Sequence, residues 1–264
     1  MNYDGILWDW NGTLLDDADY CIASVNVSLK KRSLPLLTKE KYYEIFRFPI
    51  IDYYRDLGFD FSKDPYDRLA EEYTATYVKN FHTLPLRKEA KEVLAAFRSK
   101  NVPQYILSAS GRDALVDALD LYGITDRFDA IVCADDCLAE GKIAYGKRFV
   151  SSLPNSPRLL LVGDSAHDFE TAKAVGADCV LVTEGHASEK QLRSFGVPVI
   201  RNLAELYPIV FGASGAKRPV RTYRTPAADE RRCYDINEAE PKTFAVKYKD
   251  FYDDLKNTNK TEDW

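Results

Sequence analysis

The stretch Gly5-Ile6-Leu7-Trp8-Asp9-Trp10-Asn11-Gly12-Thr13 sets a short apolar run directly against an acid, an amide and a glycine. A continuous run this short, ended by a residue that permits a sharp turn, suits a strand buried on both faces. Comparable runs recur at Gln104–Ser108, Asp129–Ala134, Arg158–Val162, Cys179–Thr183 and Pro198–Ile200. Amphipathic patterns lie between them. Ala90, Val93, Leu94 and Phe97 mark one helix; Leu115, Leu119 and Tyr122 mark another, closed by Gly123 as its C′ residue. Strand and helix alternate, which predicts an α/β fold with a doubly wound parallel sheet. Asp9 then stands at the carboxyl end of a central strand, where open α/β sheets place their ligands.

One interval breaks the alternation. Residues 16–83 separate the first strand from the next βα unit, far more than a connection needs. Within them Cys21, Val25 and Leu29, and again Leu69, Tyr73, Tyr77 and Phe81, repeat every fourth residue, the pattern of helices with one apolar face. An inserted helical domain is expected there, with residues 1–15 and 84–211 forming the sheet domain. After Phe211 the composition turns to Gly212-Ala213-Ser214-Gly215, a basic stretch and a polar end, so 212–264 reads as a linker and tail, a candidate for docking a protein partner.

The 264 residues, 45% hydrophobic and 29% charged with 17 Tyr and 13 Phe, exclude a disordered, collagen-like or disulfide-scaffold protein. A net charge of −5 argues against broad nucleic-acid or anionic-membrane binding. The basic segment Lys217–Arg232 is weighed as a nucleic-acid contact and reads instead as a solvated tail within an acidic whole. The five cysteines, Cys21, Cys133, Cys137, Cys179 and Cys233, form neither CxxC pairs nor metal-spaced clusters with histidine, and are expected as reduced thiols. With neither a leader-like N-terminus nor a membrane-length apolar run, the chain is expected in the cytoplasm.

The chemistry gathers at strand ends. A carboxylate at Asp9, released from its strand by Gly12, suits Mg²⁺ coordination and attack on phosphorus. The run Leu159-Leu160-Leu161-Val162 leads into Gly163-Asp164-Ser165-Ala166-His167-Asp168, bringing further acids to a strand's carboxyl end. Ser108 ends another strand with a hydroxyl that can donate to a phosphoryl oxygen; alone it reads as a helix cap. Gly141-Lys142 and Gly146-Lys147 offer ammonium groups, each of which alone reads as a surface lysine. The same stretch nearly spells a phosphate-binding P-loop, but Arg148 stands where a Ser or Thr is required.

Together DWNGT, Ser108, a lysine and GDSAHD, in this order, resemble the haloacid dehalogenase superfamily of phosphohydrolases, in the branch that includes phosphoglycolate phosphatase. The segment LSASGRDALVDALDLYGITDRFDAIVCADD, Leu107 to Asp136, is similar to that branch throughout. The resemblance spans about Asp4 to Leu206 and implies a Rossmann-like core with a helical cap inserted at 16–83. It implies a Mg²⁺-dependent phosphatase acting on a small phosphorylated metabolite through an aspartyl-phosphate. Asp9 is then the nucleophile, and Asp9, the Asn11 carbonyl, Asp164 and Asp168 hold the metal. Ser108 and Lys142, with Gly12, Thr13 and Ala109, hold the phosphoryl group. Spacing from Asp135-Asp136 favours Lys142, with Lys147 in reserve. Arg47, in Phe46-Arg47-Phe48-Pro49, stands where this branch often has glycine; it reads as a grip on a substrate carboxylate or as a surface arginine.

The chain departs from the family at Asn11, where its phosphatases usually carry a second aspartate that protonates the leaving alcohol and then activates water. An amide shuttles no proton, and general acid–base catalysis contributes about 10²- to 10⁴-fold. Activity on alkyl phosphates is therefore expected to be handicapped. A good leaving group, a proton from His167 or a cap residue, or a phosphate-binding protein with little turnover each accommodate the change. A phosphonate hydrolase is a further alternative, requiring a Schiff-base amine from the cap, where Lys30, Lys31, Lys39 and Lys41 stand. His186 reads as lining the site or as starting a loop.

Overall fold

The computed structural model describes residues 1–134 and 141–212. Strand β1 (Gly5–Trp8) leads into four helices: α1 (Ala18–Lys31), α2 (Lys39–Ile45), α3 (Ile50–Asp56) and α4 (Tyr66–Asn80). The alternation follows: α5 (Ala90–Ser99), β2 (Gln104–Gly111), α6 (Arg112–Tyr122), β3 (Ala130–Ala134), α7 (Lys142–Ser152), β4 (Leu159–Gly163), α8 (Ala166–Val175), β5 (Asp178–Val182), α9 (Glu189–Ser194), β6 (Val199–Ile200) and α10 (Leu206–Phe211). The strands pair in parallel in the order β3-β2-β1-β4-β5-β6. This is the expected doubly wound, Rossmann-like sheet, and its order reverses between β1 and β4, the crevice where such folds bind ligands.

The period-two pleat sorts each strand's side chains onto two faces. Ile6 and Trp8 of β1 join Ile106, Leu160, Val162, Val180 and Val182 beneath α5, α6 and α10, around Val93, Leu94, Phe97, Leu119 and Leu206. Leu7, with Leu107, Leu159, Leu161 and Leu181, faces Tyr145, Ala172 and Leu192 of α7, α8 and α9. Burial on both faces explains why the strand sequences lack polar alternation. The register Leu7↔Leu161 and Trp8↔Val162 makes β1 and β4 end level, so the residues just after each emerge side by side.

The inserted helices bury a separate apolar cluster, including Ile22, Val25, Leu29, Tyr42, Tyr53, Tyr54 and Leu69. Their ion pairs are largely internal: Arg32 binds both Asp64 (2.8 Å) and Glu72 (3.0 Å). Gly123 ends α6 in the left-handed conformation (φ 66°), the C-terminal role read from sequence. Cys21 and Cys179 are free thiols. No helix among the described residues is long and apolar enough to cross a membrane. The tail with its basic run and proposed partner-docking role, the Asp135-Asp136 pair, Cys137 and Cys233 lie outside the described residues.

Phe97 is fully buried and packs against the rings of Trp8, Tyr207 and Phe211 at 5.3–6.1 Å. Truncation to alanine leaves a cavity under the sheet centre; Phe97→Ala is expected to cost about 3–5 kcal/mol in urea unfolding.

Candidate active site

Asp9, Asp164 and Asp168 bring carboxylate oxygens within 4.8 Å of one another, all three buried. Asp9 follows β1. Its amide donates to Val162 O of β4 at 2.9 Å, which carries the strand pairing one residue beyond the sheet. Asp164 and Asp168 are set by a capping box: Ser165 caps α8 and Asp168 returns the bond to the Ser165 amide. Asp168 Oδ2 thereby accepts from the amides of Asp164 and Ser165 (both 3.1 Å) and from Ser165 Oγ (2.6 Å). A Cβ at Gly163 would collide with Asp168 itself, so this turn admits no larger residue without rearrangement.

Lys142 opens α7 and is 3% exposed. Its ammonium donates to Asp9 Oδ1 at 2.5 Å and Asp168 Oδ1 at 2.6 Å. Lys147, five residues on, is exposed. Of the two lysines, Lys142 is the one that α7 turns towards the sheet and Asp9.

Charge in this pocket is not balanced by the lysine alone. Burial and then the nearby Asp168 raise Asp9 to about 7. Burial raises Asp164 to about 6, with Asp168 adding repulsion and His186 opposing it. Burial also opposes ionisation of Asp168, but the Lys142 charge and its hydrogen bonds bring that group below the usual range. Lys142 is held above its ordinary range despite burial, by Asp168 and Asp9. Asp9 and Asp164 thus carry the uncompensated negative charge, and a hard divalent cation fits this oxygen-only donor set.

Gly12 adopts φ +72°, and a Cβ there would strike Asp164 and the His186 ring. Asp17 accepts from the Gly12 amide at 2.8 Å, so this amide is engaged within the protein. Asp17 Oδ2 also accepts from Asn11 Nδ2 (2.8 Å) and Tyr77 OH (2.8 Å), and its Oδ1 lies 3.3 Å from His186 Nε2. Tyr77 of α4 receives a second bond from Asn11 Nδ2 at 3.1 Å, and Ser110 Oγ donates to Asn11 Oδ1 at 2.9 Å. Buried Arg87 donates to Gly12 O (2.8 Å) and Thr183 O (2.7 Å), clamping the turn after β1 to that after β5. The His186 amide donates to Asp164 Oδ2, and its Nδ1 lies 2.7 Å from Tyr42 OH.

The other expected residues divide. Thr13 Oγ1 donates to Asp164 Oδ1 at 3.3 Å. Ser108 is buried; its Oγ accepts from the Ser110 amide (3.1 Å) and its carbonyl from Tyr145 OH (2.6 Å). Ala109 is exposed beside it. Arg47, read as a carboxylate grip or a surface arginine, is half exposed and ion-paired to Asp56, while its neighbours Phe46 and Phe48 meet His186 and His167. The cap lysines corresponding to a Schiff-base amine are spent elsewhere. Lys31, Lys39 and Lys41 pair with Glu72, Asp19 and Glu44, and Lys30 is exposed.

The model of the haloacid dehalogenase-like hydrolases matches residues 6–182, from β1 to the end of β5. The chain belongs to the haloacid dehalogenase-like hydrolases. Within this family its relatives include the pyrophosphatase PpaX of Halalkalibacterium halodurans, 23% identical over 80% of this chain and 98% of that protein. A phosphoglycolate phosphatase of Pectobacterium atrosepticum is 25% identical over 78% of this chain and 92% of its own length. A solved structure from Clostridium acetobutylicum, described as a predicted phosphatase, shares the fold with a TM-score of 0.67 at 18% identity, over 81% of this chain and all of that one.

For this haloacid dehalogenase-like hydrolase, residue-by-residue reading missed Asp17, Arg87, Tyr42, Tyr77 and Ser110. Asp17 stands in Asp16-Asp17 at the start of a helix, where acids complement the helix dipole, so its sequence signal is indistinguishable from that of a surface acid. Arg87 sits in Leu86-Arg87-Lys88, and only the fold tells the buried cation from the exposed one beside it.

The Asp17–His186 pair carries a pH signature. Burial disfavours both charges, yet each partner reverses that: Asp17 is lowered from 3.8 to about 2, and His186 is raised from 6.5 to about 9. The raised histidine contributes stability fully present below pH 6.5 and lost as pH rises through about 9. The depressed Asp17 contributes above pH 3.8 and is lost as pH falls through about 2. Raised Asp9 acts lower down, its stabilising proton being lost between 3.8 and about 7. Unfolding free energy is therefore expected to fall between pH 7 and 9, and His186→Gln to flatten that decline. Urea titrations across the range check it; an unchanged slope in the variant would assign the decline to other groups.

Proposed function

We propose that this chain is a Mg²⁺-dependent phosphatase that hydrolyses a small phosphorylated metabolite through an aspartyl-phosphate at Asp9. The observation that carries the proposal is Asp9 at the carboxyl end of β1, bridged by Lys142 to Asp168 and flanked by Asp164. The curated relatives, one named a pyrophosphatase and one a phosphoglycolate phosphatase, support phosphoryl chemistry and a small substrate. Phosphoglycolate itself would need a partner for its carboxylate, and Arg47 is engaged with Asp56.

In this reading residues 16–83 are a cap over the core of 1–15 and 84–211. Mg²⁺ would be held by Asp9, the Asn11 carbonyl and Asp164, and would supply charge neutralisation to the phosphoryl oxygens. Asp168, with both oxygens engaged, serves chiefly to hold Lys142. Lys142 keeps the Asp9 carboxylate oriented and offers its charge to the phosphoryl group. Ser108, within β2 just after Leu107 where the pairing with β3 shifts register, is the hydroxyl donor. The buried free thiol of Cys179 supports a reducing, cytoplasmic setting.

Phosphate release with Mg²⁺ present and after chelation tests the reading. Asp9→Asn is expected to lower kcat/KM by at least about a thousandfold, as loss of a nucleophile does. The locked amide of Asn11 favours one competing reading, a phosphate-binding protein without turnover. Mg²⁺-dependent phosphate binding with no release from any ester would select it.

A further inference from the structure

Two features of the site bear on what leaves when the phosphoryl group is transferred. The first is that the side chain after the Asp9–Trp10 pair is an amide, which gives no proton to a leaving group. Asn11, one residue before the Gly12 turn, gives its amide hydrogens to Asp17 (2.8 Å) and Tyr77 (3.1 Å) and receives one from Ser110 (2.9 Å). The Tyr77 hydroxyl is itself spent on Asp17. Both His186 nitrogens are engaged, by Asp17 and Tyr42. Lys142 is committed to two carboxylates. The side chains that meet the turn after Asp9, namely Asn11, Tyr77, His186 and Lys142, are thus each bonded to protein partners.

The second feature is the surface the cap brings to the site loops. The segment between α2 and α3 lies against the first turn of α8, which carries His167 and Asp168, and against His186. Phe48 meets His167 at 4.9 Å and Phe46 meets His186 at 5.5 Å, both tilted; Tyr42 stacks on Phe46 at 4.7 Å, and Phe46 meets Phe48 edge-on at 5.8 Å. Phe48 nevertheless stays 49% exposed, a large apolar ring left open to solvent beside the residue preceding Asp168. The segment's own cation, Arg47, is turned away to Asp56. The seam therefore offers ring faces and not a charged grip, which suits a flat aromatic group better than a carboxylate or a second phosphate.

We propose that the substrate is an aryl phosphate, the phosphate monoester of a phenol, whose ring enters the seam at Phe48 and His167. The proposal rests on the phosphatase reading above. An Asp9 carboxylate oxygen forms a bond to phosphorus as the phosphorus–oxygen bond to the ring carbon's oxygen breaks. The electron pair leaves with that oxygen as a phenolate, which is stable enough to depart without a proton and takes one from water afterwards. Water then attacks the aspartyl-phosphate, releasing inorganic phosphate and restoring Asp9. An alkoxide has no such exit from this site.

The test compares phenyl phosphate with benzyl phosphate on the full chain with Mg²⁺; the two share a ring but differ in the acidity of the leaving oxygen. Phosphoglycolate, pyrophosphate and acetyl phosphate are run alongside. We expect kcat/KM for phenyl phosphate to exceed that for benzyl phosphate by about 100-fold or more, the typical worth of a missing general acid. The rate should rise further with electron-withdrawing ring substituents, and Asn11→Asp should narrow the phenyl–benzyl gap. Phe48→Ala, at a half-exposed position, should raise KM for phenyl phosphate several-fold more than that for acetyl phosphate. Equal rates for phenyl and benzyl phosphate, or preference for phosphoglycolate, would overturn the aryl assignment while Asp9-dependent release upheld the phosphatase. Preference for pyrophosphate or acetyl phosphate, unaffected by Phe48→Ala, would also overturn it, in favour of an anhydride. No release from any of the five would overturn the phosphatase reading and this one with it.

Discussion

Three carboxylates cannot share one buried volume unless something offsets their charge, and in this chain Lys142 does so for two of them. Removing an ion from water costs several kcal/mol, recovered only where geometry and additional hydrogen bonds are good. Asp168 meets that condition through the amides at the start of α8 and the Ser165 hydroxyl. Asp9 meets it only partly, with Lys142 on one oxygen and two acids nearby, and its ionisation is correspondingly costly. The residue left least satisfied by the fold is thus the one at the carboxyl end of β1, on which the proposed function turns. Strain of this kind, concentrated at one carboxylate, is common where chemistry is done.

Around this bridge the architecture is a means of bringing three strand ends together. The level ends of β1 and β4 supply Asp9 and Asp164, and β2 brings Ser108. Helix α7 packs against β2 closely enough that a Cβ on Gly146 would lie 3.2 Å from Leu107, which lets Lys142 at the helix start reach across to Asp9. The turn after β1 depends on a second charged hub. Asp17 ties the Gly12 amide and Asn11 to Tyr77 of α4 and His186 of the core, while Arg87 holds the Gly12 carbonyl from the other side. The inserted helices are thus bonded to the turn after β1 itself. Tyr42 and Tyr77 make that connection, so the position of the helices and the geometry of the turn are coupled.

Much of the fold was legible along the chain because its signals are local. Apolar runs, fourfold spacings and Gly123 each act within a few residues, and the acids after β1 and β4 stand where their strands end. The length of the interval 16–83 pointed to inserted helices before any contact was known. These features, and the placing of Asp9, Asp164 and Asp168 at strand ends, the sequence determined by itself. What it left open was every choice that depends on how distant segments meet. Lys142 and Lys147 stand in the same Gly-Lys context, and only the packed face of α7 carries one to Asp9, 133 residues away. Arg47 pairs with Asp56 while Phe46 and Phe48 meet the two histidines. Asp17 becomes a hub because the fold wraps Tyr77, His186 and the Gly12 turn around it. Hydrogen bonds and ring contacts act over a few ångströms in space, whatever their separation in sequence, so these pairings were decided only in the tertiary structure.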